Sequence, residues 1–175
     1  MNETLKTLET RRSCRKFIAD KMPTKEQLDA IIRAGTFAPS GMGRQPVKII
    51  AVTNKKMRNK ISEENAKVMG QSGTDPFYGA PVILVVIADK SASTAIYDGS
   101  LVMGNLLNAA ESLGLGSIWI HRAKEEFESD FGKQLLTDLG ITGEWEGIGH
   151  AAIGYAAEGG VNPPAVRKDN VYWIK

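Results

Sequence analysis

A single cysteine, Cys14, stands in a chain of 175 residues, so no disulfide can close within it, and a reducing cytoplasm is the expected setting. Long apolar runs are missing too. The longest, APVILVVIA from Ala80 to Ala88, has nine residues and contains a proline, far short of the ~20 that cross a bilayer; no membrane association is expected. The opening MNETLKTLETRRS lacks the apolar segment of a secretory signal. Only two histidines occur, His121 and His150, and they are not spaced as metal ligands on a helix. No metal site is expected, and each histidine reads as a strand residue satisfied by a local hydrogen bond. The P-loop pattern and the G-x-S-x-G elbow are absent. Three glycine-rich stretches, Gly114 to Trp119, Gly147 to Gly154 and Ser40 to Pro46, each miss the third glycine or the strand-turn-helix setting of a dinucleotide fingerprint. Net charge is +2 with a pI near 8.6, too balanced for a general polyanion binder, so no nucleic-acid partner is expected.

What the chain does have is a cluster of cations. TRRSCRKF, residues 10–17, places Arg11, Arg12, Arg15 and Lys16 around Ser13 and Cys14. The stretch is either a local anion site or a solvated basic turn. Flanking arginines favour the Cys14 thiolate and hence a reactive thiol; the other reading is a small filler between functional neighbours.

Periodicity sets out the elements. Leu5 and Leu8 predict a short first helix ending near Arg11 and Arg12. TKEQLDAIIRAG, residues 24–35, carries a capping box from Thr24 to Gln27, apolar residues at helical spacing and a glycine at the stop. Pro46 opens a β-branched strand, 47–53, and Asn54 caps a basic helix to about Val68. Residues 70–79 read as loop. Pro81 to Ala88 is apolar on both faces, as in a central covered strand. Residues 98–113 are apolar almost all round, which predicts burial in a core or in a subunit interface. Strands follow at 117–121 and 147–155, separated by one surface helix over 124–139. From Gly160 the pattern is an extended arm ending in the short strand VYWI. With no repeat or linker, residues 1–175 read as a single layered α+β or α/β domain carrying an arm at about 160–175.

Four segments taken in order, RRSCRKF, APSGMGRQPVKIIAV, DGSLVMGNLLNAAESLGLGSIWIHR and the terminal Arg-Lys before VYWI, resemble the nitroreductase family of FMN-dependent oxidoreductases. The resemblance implies an α+β, three-layer fold with a central, mostly antiparallel sheet flanked by helices. It also implies a homodimer with an exchanged C-terminal arm, FMN at the subunit interface, and NADH or NADPH as transient electron donor. By position, Arg11, Arg12 and Ser13 would hold the FMN phosphate and neighbouring groups, joined by Arg167 and Lys168 of the arm. Guanidiniums suit that role as permanently charged, bidentate donors. Arg15 matches the basic residue near the flavin pyrimidine edge, where a fixed cation favours the reduced flavin. Pro39, Ser40, Gly41 and Gln45 match the loop that reaches the flavin of the partner subunit. Gly43 and Val47 stand where the family pattern has Asn and Trp, which removes two side chains and leaves close backbone approach. Ile120, His121 and Arg122 match the segment whose backbone amides face flavin N5, with no side chain cast as an acid or base.

The resemblance thus implies an NAD(P)H-dependent FMN oxidoreductase, cytoplasmic, with a small-molecule acceptor such as a nitroaromatic or quinone and ping-pong turnover. The shortness of the chain implies an open pocket without a large lid. Two other classes are a flavin-binding storage or sensor module without efficient turnover, and a small nucleic-acid binder using the basic run with KKMRNK, residues 55–60.

Overall fold

The computed structural model describes residues 2–175. Its centre is a strand that sequence pattern alone marks as doubly covered. β2 (Val82–Asp89) is buried along almost its whole length. Alternate residues leave its two faces, Val82, Leu84, Val86 and Ala88 on one and Ile83, Val85 and Ile87 on the other, because side chains in a strand alternate with period two. β1 (Val47–Val52), β3 (Gly116–Ile120) and β4 (Trp145–Gly154) complete a sheet of order β1-β2-β4-β3, every pair antiparallel.

Helices cover both faces. α2 (Lys25–Thr36) and α4 (Ala95–Ser112) lie on the first, burying Leu28, Ile31, Val102, Met103 and Leu106 against β2. α3 (Lys55–Val68), α5 (Ala123–Glu128) and α6 (Asp130–Asp138) cover the second with Ile61, Phe127, Leu135 and Leu136. Each such buried side chain contributes about 1.5 to 3 kcal/mol of transfer free energy. The remaining helix, α1 (Glu3–Thr10), has no buried residue and packs against α4. The expected three-layer α+β arrangement is therefore present, and no helix of the described residues is long and apolar enough to cross a membrane.

Several local expectations hold in detail. Thr24 and Gln27 form the reciprocal capping box that starts α2, and Asn54 Oδ1 accepts from Met57 N to start α3. Others need correction. Gly35 does not stop α2: it lies inside the helix, where a Cβ would come within 2.7 Å of Leu106 Cδ2, so its smallness serves helix packing. The helix expected over 124–139 is two helices. Ser129, in extended conformation, ends α5 and caps α6, its Oγ donating to Glu126 O at 2.6 Å and accepting from Gly132 N at 3.3 Å. A Cβ on Gly132 would meet Glu126 O at 2.2 Å, so α6 can fold back onto α5 only through a glycine. The VYWI segment forms no strand within the chain; from Asn162 onward the arm has no regular structure, and Tyr172 is 93% exposed.

One bulge matters for the layers. Val86 pairs with Gly149 but Ile87 with Gly147, which leaves Ile148 as an extra residue pressed towards α4. Gly99 receives it there, a Cβ at that position lying 2.5 Å from Ile148 Cγ1.

Gly132→Ala should lower unfolding free energy by about 2 to 3 kcal/mol, since the clash is with backbone and no rotamer relieves it. Urea titration followed by circular dichroism measures this, and Gly140→Ala is an informative partner: it has open space but a φ of +67°, so its cost should come from conformation alone, about 1 to 2 kcal/mol.

Candidate functional site

Backbone hydrogen bonds place the basic cluster. After α1 the chain runs extended along the edge of β3, with Cys14 N donating to Ser117 O at 2.9 Å and Arg15 N to Gly160 O at 2.7 Å. Phe17 N donates to Tyr78 O, and Ile18 N to Tyr155 O. Cys14 and Phe17 are buried, whereas Arg15 and Lys16 are exposed.

Cys14 is a filler. Burial pushes its thiol above the ordinary value, outweighing the opposing effect of its hydrogen bond to Lys16 O. The shift is therefore opposite to the one that flanking arginines suggested, because burial of the sulfur dominates.

Arg15 lines a cavity of about 460 Å³ with Ile120, His121 and Arg122. Its opposite wall is the loop 70–79, through Gln71, Thr74 and Tyr78, residues that the sequence reading passed over as loop. The only signal available for them was three glycines and a proline in ten positions. Gly70, Gly73 and Gly79 all have positive φ, and so does Tyr78 at 55°. Asp75 anchors the loop: Oδ2 takes Arg58 Nη2 at 2.6 Å and Gly79 N at 2.8 Å, and Oδ1 takes Ser62 Oγ at 2.8 Å and Phe77 N at 3.1 Å. Burial acts to raise the Asp75 pKa, yet the hydrogen bonds from Arg58 and Ser62, the Arg58 charge and the Gly79 amide together hold it below the ordinary carboxylate value.

On the other wall, Arg122 has φ 75° and ψ 7°, and Asn65 of α3 holds it. Asn65 Oδ1 accepts from Arg122 Nε at 3.0 Å, while Nδ2 donates to His121 O at 2.9 Å and to Glu126 Oε1. Glu126 Oε2 lies 2.9 Å from His150 Nε2, and both side chains are buried. His150 is thus satisfied by a distant partner, whereas His121 is exposed in a turn after β3 and not in a strand. Among the described residues, the backbone N–H groups of His121 and Arg122 donate to no acceptor in the chain.

The remaining expected site residues are spread more widely. Arg11 ends α1, its N–H bonded to Thr7 O. Arg12 Nη1 donates to Glu9 O and Arg11 O, both at 2.7 Å, and its Nε is buried without a partner. Ser13 bridges to Ser117. No carboxylate among the described residues forms an ion pair with Arg11, Arg12, Arg15 or Arg122. Pro39, Ser40 and Gln45 line a separate, smaller cavity of about 150 Å³ beside Asp98. Gly41 N donates to Asp98 Oδ1, and Thr94 Oγ1 to Asp98 Oδ2. A Cβ on Gly41 would lie 2.4 Å from Thr94 Oγ1, so this glycine serves packing onto α4, while Gly43 at φ 66° faces open space. Arg167 and Lys168 sit on the exposed arm, outside the lining of either cavity.

The fold thus brings Arg15 and Arg122, neither of them ion-paired with a carboxylate, to one cavity. This chain belongs to the Nitroreductase family, whose profile matches residues 8–155. The FMN reductase (NAD(P)H) of Bacillus subtilis is 34% identical over 140 residues, 67% of this chain but 53% of that protein, so this chain spans about half of that relative's length. Among solved structures, a nitroreductase with bound FMN from Bacteroides fragilis NCTC 9343 is similar over 100% of both chains, with TM-score 0.89 and 29% identity. A second nitroreductase with bound FMN, from Desulfitobacterium hafniense DCB-2, superposes with TM-score 0.86 at 31% identity, again over 100% of both chains.

Asp75 supplies a pH test of the loop anchor. Because its pKa is lowered on folding, its contribution is fully present above the unfolded value of about 3.9 and is lost as pH falls through the folded value. Asp75→Asn should cost about 1 to 2 kcal/mol at pH 7, allowing for a side chain that is 36% exposed. In urea titrations the gap between wild type and variant should narrow as pH falls below the unfolded value and close once it passes the lowered folded one.

Proposed function

We propose that this chain binds FMN between Arg15, the loop 70–79 and the His121–Arg122 turn, and uses it as an NAD(P)H-dependent oxidoreductase on a nitroaromatic, quinone or similar acceptor. The observation that carries the reading is the 460 Å³ cavity, which joins Arg15 to Ile120, His121 and Arg122, segments far apart in sequence that the family resemblance assigns to one ring system. The donor set fits the cofactor. Arg12 Nε is a buried N–H awaiting an acceptor, as a phosphate oxygen would be. The free amides of His121 and Arg122 are further unused donors at the cavity edge.

FMN when bound supplies a two-electron carrier that takes hydride from the nicotinamide and returns it to the acceptor. The protein's part is binding, orientation and charge. Arg11, Arg12 and Ser13 hold the phosphate, with Arg167 and Lys168 reaching it from the arm. Arg15 stays charged throughout and favours the anionic form of the ring. The Asp75 anchor fixes the far wall, so donor and acceptor meet the ring in the same orientation.

The working form in this reading is a cytoplasmic homodimer of single-domain chains, 1–175. Pro39, Ser40, Gly41 and Gln45 lie on a separate cavity of their own chain and would complete the site held by the partner. Two exposed apolar surfaces support the pairing. Ile96, Tyr97 and Leu101 of α4 are 53%, 72% and 48% exposed, and Val171 to Ile174 of the arm are exposed throughout, more than an isolated chain leaves open without a partner. An exchanged arm would cover part of that surface.

The protein should purify yellow and release FMN, not FAD, on heating, as resolved by chromatography; FAD, or no flavin after reconstitution with FMN, overturns the reading. Arg11→Ala should weaken FMN binding about ten- to hundredfold, whereas Arg15→Ala should keep the flavin but lower its reduction potential. Fluorescence titration and potentiometry separate the two, and equal effects at both positions would remove the distinction. With one cavity serving donor and acceptor in turn, double-reciprocal plots should be parallel.

A further inference from the structure

We propose that Asn65 is a positioning residue for the His121–Arg122 turn, acting at the head of a buried polar relay that continues through Glu126 to His150. The proposal rests on the flavin reading for its functional consequence, and on hydrogen-bond geometry for its structural part.

Asn65 sits in α3 with 0% exposure, in a helix whose opposite face is rich in lysine and glutamate. A buried amide is tolerated only when its donors and acceptor are matched. Here the match permits one orientation: the amino group faces two acceptors, His121 O and a Glu126 carboxylate oxygen, while Oδ1 faces Arg122 Nε. Rotating the amide by half a turn would set oxygen against oxygen and N–H against N–H. Glu126 Oε2 is fixed in turn by His150 Nε2 at 2.9 Å, and His150 Nδ1 lies 3.4 Å from Ile120 O. The relay therefore touches the carbonyls of two consecutive residues, Ile120 and His121, and the side chain of the third, Arg122.

That third residue is the one under strain. Left-handed backbone is disfavoured for any residue with a Cβ and persists where its surroundings over-determine it. Asn65 supplies the restraint on both sides, through the peptide that precedes Arg122 and through the guanidinium that follows. A residue that merely filled the core would contact neither. Holding the turn left-handed is what keeps the His121 and Arg122 amides free of protein acceptors and fixed relative to Arg15 across the cavity.

The test compares wild type, Asn65→Leu and the double variant Asn65→Leu/Arg122→Gly, each in FMN-free and FMN-loaded form. In the FMN-free protein, amide exchange over residues 118–126 should accelerate about tenfold or more in Asn65→Leu, with the rest of the sheet unchanged. In the loaded protein FMN should still bind, because the phosphate residues are untouched, while its potential shifts and its reduction by NADH slows about tenfold, the worth of one charge-assisted hydrogen bond. Glycine adopts positive φ without steric cost, so Arg122→Gly in the Asn65→Leu background should restore most of the reduction rate. Unchanged exchange and potential in Asn65→Leu would overturn the proposal, and so would a double variant no faster than the single one, since a packing defect is not repaired by relieving strain at 122. If Asn65→Leu does not fold, Asn65→Ala replaces it, removing the contacts to His121 O and Arg122 while leaving room for water to solvate the Glu126 carboxylate. A wild type that takes up no FMN would overturn the flavin reading, and the exchange measurement alone would then decide the role of Asn65.

Discussion

The site depends on a short length of backbone, residues 13–18, stitched to the molecule by its own amides. Cys14 bonds to β3, Arg15 to Gly160, Phe17 to the loop at Tyr78 and Ile18 to Tyr155. These bonds are indifferent to side-chain identity, and that leaves the side chains free to carry chemistry. Simple alternation does not do the sorting: Cys14 and Phe17, three positions apart, both turn inward to the core, while Arg15 and Lys16 between them are exposed and Arg15 lines the cavity. Because the same few bonds also hold Tyr78, the position of Arg15 and the position of the opposite wall are set together. Movement in one is movement in the other.

The arginines divide by what answers their charge. Arg58, 8% exposed, is matched by Asp75, by the Ala80 carbonyl and by the face of Phe77, and works as a structural rivet between α3 and the loop. Arg12 is half answered, bonded to helix-end carbonyls through one nitrogen while another is left over. Arg15 has no carboxylate partner. The gradient runs from the interior to the cavity, so charge is answered by protein groups inside and left without a carboxylate partner at the rim.

Much of this was legible in the sequence because it is local. The capping box at Thr24, the cap at Asn54 and the doubly apolar run of β2 each depend on neighbours within a few positions, and the ordered motifs of the family pointed to Arg15 and to His121–Arg122. What could not be read depends on contacts across the fold. Ser129 breaks a helix that periodicity continues, since Gly132 must approach the α5 backbone. Arg122 is left-handed on account of an asparagine in α3. Gln71, Thr74 and Tyr78 carry no motif and join the cavity only because Asp75 ties their loop to Arg58 and Ser62. The packing of Gly41 against Thr94 is likewise a contact that no local pattern announces.

Cys14, set aside as a filler, has one further consequence. Its sulfur is sealed beneath the basic segment, close against Gly116 and Gly160, and it is the only thiol in the chain. A soluble alkylating reagent can reach this fully buried sulfur only when residues 13–18 lift from the sheet, and the burial that pushes its pKa up disfavours the thiolate until then. The molecule thus contains an intrinsic gauge of its own opening. The rate of thiol labelling counts how often the segment that carries Arg15 detaches, a motion otherwise invisible beside the global unfolding of the layers on either side.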